Sequence, residues 1–115
     1  MAIGRRKRFY SGTLSTTLTT ALVTAGSAPS DGSAKASFHF TVANKTGSAA
    51  NVTLAVADSG GSVLAYLLNT FPIPANDTYV HSDTVDLMGG EKLIGGAGTG
   101  SALDLNVTGV EAADS

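Results

Sequence analysis

The sequence predicts an all-β domain, an antiparallel β-sandwich or jelly roll of seven to eight short strands with an extended N-terminal arm. Three observations point there. Turn signals rich in Gly, Asn, Asp and Pro recur about every ten residues. Several stretches between them alternate apolar and polar with a period of two, and the one helical alternative, over residues 13–25, has Thr and Val at most positions against it. A chain of 115 residues has room for one domain, divided into a basic arm over 1–12 and a sandwich over 13–115.

Residues 1–12, MAIGRRKRFYSG, are too short and too charged to fold alone and read as an arm. The stretch Thr13 to Ala25 reads as strand, with Leu14, Leu18, Leu22 and Val23 set among β-branched threonines. In outline it also resembles a secretory signal, but five threonines between Thr16 and Thr24 make a poor hydrophobic region. The loop Ala28 to Ser33 carries Pro29 and an Asp31-Gly32 reversal. The clearest strand follows in Lys35 to Asn44, where Ala36, Phe38, Phe40 and Val42 alternate with Ser37, His39, Thr41 and Ala43. After the short connection Asn44 to Ser48, the residues Val52, Leu54 and Val56 alternate in turn, and the two strands are expected to form a hairpin.

Ser62 to Leu68 is apolar on both faces, which suits a central strand or one whose outer side meets a partner chain. Pro72 and Pro74 cannot donate to a ladder, so Phe71 to Ala75 is expected to cross to another edge or sheet. Thr78 to His81 and Thr84 to Met88 form one broken strand or two short ones. Gly89-Gly90-Glu91 turns the chain into Lys92-Leu93-Ile94, Gly95 to Gly100 reads as a flexible connection, and Leu103, Leu105 and Val107 mark the last strand.

Apolar residues make up 43% and charged residues 14%, with seven aromatics and no Trp, so the core is built from small aliphatic side chains. No run of apolar residues is long enough to span a membrane. The absence of cysteine removes disulfides, thiolate nucleophiles and thiolate metal ligands together. His39 and His81, with Asp77, Asp83 and Asp86, are the residues a metal or acid–base site would need, but the spacing supports neither, and His39, on the polar face of its strand, has no second ligand at two-residue spacing. No Gly-x-Ser-x-Gly turn is present, and Gly95 to Gly100 lacks the Gly-Lys-Ser/Thr ending of a phosphate loop. The expectation is therefore a non-enzyme with no catalytic residue, no metal and no cofactor. Asn-x-Thr triplets begin at Asn44, Asn51, Asn76 and Asn106 and arise readily by chance in a Thr-rich β chain.

The charge is strongly divided. Arg5, Arg6, Lys7 and Arg8 hold four of the seven cations, leaving residues 9–115 with three cations against nine acids, a charge of −6. This arm, Arg5, Arg6, Lys7, Arg8, Phe9 and Tyr10, is the candidate partner-binding site, its cations docking on an acidic surface and its two aromatics anchoring there. Nucleic acid is disfavoured as the target because the acidic body repels phosphate.

Four segments together, VANKTGSAANVTLAV (Val42 to Val56), IPANDTYV (Ile73 to Val80), MGGEKLIG (Met88 to Gly95) and NVTGVE (Asn106 to Glu111), resemble a group of small phage virion proteins. The likeness spans residues 13–111 and consists of turn and strand chemistry, so it carries over no catalytic residue. It implies a virion structural protein assembled on the particle after synthesis in the host cytoplasm. The basic N-terminus favours a capsid decoration protein bound to the major capsid protein as a homo-oligomer, with a trimer favoured. Alternatives are a tail, baseplate or head-to-tail collar component, or a host-surface module gripping glycans through Tyr66, Phe71 or Tyr79.

Overall fold

The computed structural model describes residues 5–26 and 33–112. The loop expected over residues 28–33 lies outside them except for Ser33, as do residues 1–4 of the expected arm. Among the described residues there are eight strands and no helix: β1 (Arg5–Thr13), β2 (Ala21–Thr24), β3 (Ala36–Asn44), β4 (Ala50–Ala57), β5 (Val63–Ile73), β6 (Thr78–Leu87), β7 (Lys92–Ala97) and β8 (Leu103–Glu111). They form two four-stranded antiparallel sheets, ordered β1-β8-β3-β6 and β2-β7-β4-β5, packed as a sandwich.

The pairing pattern is a wound hairpin. β4 pairs with β5, β3 with β6, β2 with β7 and β1 with β8, as they would in one long folded-over ribbon. The ribbon is rolled up by two further pairings, β3 with β8 and β4 with β7. This is the jelly-roll winding, in which most connections cross between sheets. The tip of the ribbon is the β4–β5 turn, where the Asp58 carboxylate accepts hydrogen bonds from the Gly60 and Ser62 amides, both at 2.9 Å. Gly61 takes the φ of 92° that lets the chain reverse there.

The expected hairpin of β3 with β4 does not form, and the two strands lie in opposite sheets. Alternation buries one face of each strand in either arrangement, so it does not distinguish a hairpin from an arch between sheets. The Asn44 side chain settles the matter. It is buried, its Nδ2 donates to the Ser48 and Ile73 carbonyls at 2.9 and 3.0 Å, and its Oδ1 accepts from the Thr46 amide and hydroxyl at 2.9 and 2.7 Å. The backbone completes the clamp, with the Asn44 amide donating to the Asp77 carbonyl at 2.8 Å and the Asn76 amide to the Thr46 carbonyl at 3.0 Å. One asparagine thus joins the β3–β4 and β5–β6 corners and turns the chain from one sheet to the other.

The basic segment also departs from expectation. Its described part is no arm detached from the sandwich but the edge strand β1, antiparallel to β8 from Arg5↔Glu111 to Thr13↔Asp104. Thr13 to Ala25 is likewise not one strand: β1 ends at Thr13, a loop follows, and only Ala21–Thr24 pairs again. The stretch from Ser62 is not central, since Val63–Ile73 is an edge strand with mostly exposed side chains. Its edge position is what admits Pro72 into the ladder opposite Asn51.

The core lies between the sheets, with Phe38, Phe40 and Val42 of β3 and Leu103, Leu105 and Val107 of β8 facing Val52 and Leu54 of β4 and Leu93 of β7. Each large aliphatic or aromatic side chain sealed there contributes about 1.5–3 kcal/mol. Small residues set how closely the strands approach. Gly95 and Gly96, expected in a flexible connection, are buried residues of β7. A β-carbon at Gly95 would overlap the Thr53 carbonyl oxygen, and one at Gly109 in β8 would overlap the Ser37 carbonyl oxygen of β3.

Two stability predictions follow from this packing. Gly109→Ala is expected to cost about 2 kcal/mol through overpacking, whereas Gly47→Ala, with nothing within 4 Å of the added carbon, should stay within about 0.5 kcal/mol. Asn44→Ala removes four hydrogen bonds at a buried corner and is expected to cost about 2 kcal/mol or more. Urea unfolding followed by circular dichroism checks both, and an Asn44→Ala midpoint equal to wild type would show that the corner holds without its side chain.

Candidate interaction surfaces

The six residues singled out in the sequence lie together on β1 but divide into two functions. Arg5, Arg6, Lys7 and Arg8 are exposed, while Phe9 and Tyr10 are half-buried against the core. The Phe9 ring sits 5.8 Å from that of Phe38, and the Lys7 ammonium lies 5.4 Å from the Phe9 centroid. The aromatics therefore anchor β1 to its own sandwich. A bulge between Arg8 and Tyr10 makes this possible, because two consecutive residues reach one face only where a strand carries an extra residue.

The cations remain available. Lys7 pairs with Glu111 at 3.4 Å, and Arg5, Arg6 and Arg8 form no ion pair among the described residues. Arg6, Lys7 and Arg8 line a shallow groove with Thr108 and Gly109. At the opposite edge of the same sheet, β6 presents exposed Asp83 and Asp86, and Asp86 accepts a hydrogen bond from the Ser37 hydroxyl at 2.6 Å. The two free edges of one sheet thus carry opposite charge.

Exposed apolar side chains gather on the other sheet. Val63 and Tyr66 of β5 line a shallow depression with Leu18, Ala55 and Ile94, and Thr19, Thr53, Asn69 and Thr70 add polar groups to its walls. Tyr66 is 55% exposed. This matches the expectation that the outer side of the Ser62 to Leu68 stretch is apolar, although its strand is at an edge.

A third feature was not legible in the sequence. Phe71 near the end of β5 and Tyr79 near the start of β6 lie on edge strands of different sheets, yet their ring centroids are 5.0 Å apart. With Pro72, Ile73, Pro74, Asp77 and Thr78 they line a cleft of about 290 Å³. Behind it, His81 stacks on Phe40 at 4.6 Å and its Nδ1 lies 3.2 Å from the Tyr79 hydroxyl. Tyr66 belongs to the apolar depression instead. Only the corner that Asn44 holds, where β5 passes into β6, brings Phe71 and Tyr79 together.

His39 Nε2 lies 3.3 Å from the Thr108 hydroxyl. Among the described residues no three His, Asp or Glu side chains gather in a way that could hold a metal ion, and no helix is long and apolar enough to cross a membrane.

One exposed cluster ties β1, β8 and the β3–β4 corner. The Thr13 hydroxyl donates to Asp104 at 2.6 Å, and Lys45 Nζ donates to Asp104 and to the Thr13 hydroxyl oxygen, each at 3.0 Å. The Thr13 hydrogen bond, and after it that of Lys45, hold the Asp104 carboxyl below its ordinary value of 3.8. A lowered folded-state pKa means the carboxylate stabilises the fold above that ordinary value and that this contribution is lost as the pH falls below it. Exposure keeps the effect small. Asp104→Asn is therefore expected to flatten part of the acid limb of stability, which urea midpoints measured from neutral pH downward will show.

No family model, curated protein or solved structure matches the chain, so its own residues and their geometry carry the functional reading.

Proposed function

We propose that this chain is a non-enzymatic structural protein of a phage virion, a decoration protein that seats on the outside of the capsid and stabilises the head. The observation that carries the reading is the depression where exposed Leu18, from the β1–β2 loop, meets exposed Val63 and Tyr66 of the edge strand β5. Among the described residues no buried side-chain polar atom lacks a hydrogen-bond partner. Exposed apolar surface on an open edge is a hazard in a solitary domain and an asset in one that is covered by a neighbour. The likeness of the segments Val42 to Val56, Ile73 to Val80, Met88 to Gly95 and Asn106 to Glu111 to small phage virion proteins supports the same reading, as does a winding that recurs in capsid and lectin domains. Fold alone does not assign the function.

In this account the partner is the major capsid protein, and copies assembled as a symmetric oligomer, a trimer, sit at capsomer junctions. The apolar depression supplies the contact area, the β1 cations add attraction to an acidic shell, and linkage of several weak contacts supplies avidity. Binding only the assembled shell shifts the shell's own equilibrium toward the intact state and opposes the pressure of packaged DNA.

Sedimentation with undecorated capsids across a salt series tests this. Deleting residues 1–12 is a poor variant because it strips β1 from β8, so Val63→Ser with Tyr66→Ser is used instead. Wild type is expected to saturate at on the order of hundreds of copies per particle, and the double variant, folded by circular dichroism, to bind at least about tenfold more weakly. Saturation at a few copies, read by gel densitometry, would point to a tail, baseplate or collar position.

The Phe71–Tyr79 cleft favours a second reading, a module that grips host-surface glycans. A sugar ring can stack on the exposed Phe71 face while the Asp77 carboxylate accepts hydroxyl hydrogen bonds. On that reading wild type binds host envelope polysaccharide in calorimetry and Phe71→Ala abolishes the heat. On the decoration reading Phe71→Ala binds capsids as wild type does.

A further inference from the structure

We propose that copies of this chain associate head to tail through the two open edges of the β1-β8-β3-β6 sheet, the basic edge β1 of one copy pairing antiparallel with the acidic edge β6 of the next. Both edges leave one side of their backbone ladder unfilled within the chain, which is a ready template for a further strand. The order of the sheet makes β1 and β6 antiparallel to each other. A second copy laid beside the first therefore continues the same alternation.

Charge selects the occupant. β1 carries Arg5, Arg6, Lys7 and Arg8 and no acid, whereas β6 carries Asp83 and Asp86 and no Lys or Arg. The register places these charges at the same end of the sheet. Arg6 is opposite Val110, Val110 opposite Ser37, and Ser37 opposite Asp86, so Arg6 and Asp86 are the two ends of one cross-strand row. Extending that row into a neighbouring copy sets the neighbour's Arg6 beside Asp86 on the same face, with β-carbons about 5 Å apart. Arg8 lies two residues along β1, in the row of Thr108 and His39, which ends on the bulged stretch of β6 between His81 and Val85 that contains Asp83. The β1 bulge, between Arg8 and Tyr10, adjoins the same row. Both edges therefore bend at the same level, and the bend of one follows that of the other.

The same charges reject the alternatives. Pairing β1 with β1 brings eight cations together, and pairing β6 with β6 sets carboxylates against carboxylates, so only the head-to-tail contact is attractive. An interface between unlike patches closes into a ring or runs on as an open chain, according to the rotation between copies. The inference stands whether or not the protein works on a capsid.

Charge reversal in solution tests it. Sedimentation velocity of wild type at neutral pH and low salt is expected to show species larger than a monomer, with the apparent dissociation constant weakening at least about tenfold as salt is raised. Arg6→Asp with Arg8→Asp neutralises β1 and sets acids in the rows of the neighbour's Asp86 and Asp83, and Asp83→Arg with Asp86→Arg makes both edges basic. Each double variant, shown to be folded by circular dichroism, is expected to sediment as a monomer, and an equimolar mixture of the two to regain the larger species. Monomeric wild type at low salt, association that survives either reversal, or a mixture that stays monomeric would each overturn the proposal.

Discussion

The structure depends on one constraint of connectivity: the first four strands pair with the last four in reverse order, and the resulting ribbon is then rolled onto itself by the β3–β8 and β4–β7 contacts. That winding decides which strands are sealed and which are left at the rim. β8, β3, β7 and β4 are flanked on both sides and supply most of the core, while β1, β6, β2 and β5 form the edges. Every candidate interaction surface includes an edge strand for this reason. The basic strand, the acidic strand, the apolar depression and the aromatic cleft all use surface that the winding cannot bury. The β1–β8 pairing joins the first and last of the described strands, so much of the fold rests on contacts remote in sequence, which places it among slow-folding topologies.

Rolling a ribbon needs corners, and Asn44 makes the best defined of them. Its amide has two donors and an acceptor oxygen, and all are used, two donors across to Ser48 and Ile73 and the oxygen back to Thr46. A hydroxyl residue could not span both directions at once. The two sheets then close on side chains of modest size, and glycines at 95 and 109 let neighbouring backbones approach where a β-carbon would collide. Close approach compensates for a core with few aromatics.

What was legible in the sequence follows from which physical signals are local. Alternation in Lys35 to Asn44 and in Val52 to Val56 reports that one face of a strand is buried, so both strands were found with nearly their true limits. It does not report which strand lies alongside, so β3 and β4 were read as a hairpin although Asn44 sends them to different sheets. Charge misled at the N-terminus, where Arg5 to Arg8 suggested a detached arm because the partner that orders them, β8, is about a hundred residues away. Glycine misled at 95 and 96, where flexibility and close packing call for the same residue. The Phe71–Tyr79 cleft was out of reach for the plainest reason: its walls belong to strands of different sheets, and no periodicity links them.

The pairing of Arg5 with Glu111 places the first and last residues of the strand framework side by side at one end of the antiparallel β1–β8 ladder. Tension applied between Arg5 and Glu111 would load the hydrogen bonds of that ladder one after another, as a zipper is opened, and never in parallel. A pull directed across the sheets meets many contacts at once. The sandwich is therefore mechanically anisotropic, yielding when drawn apart at the Arg5–Glu111 end of the ladder and stiff when pressed or sheared through its faces.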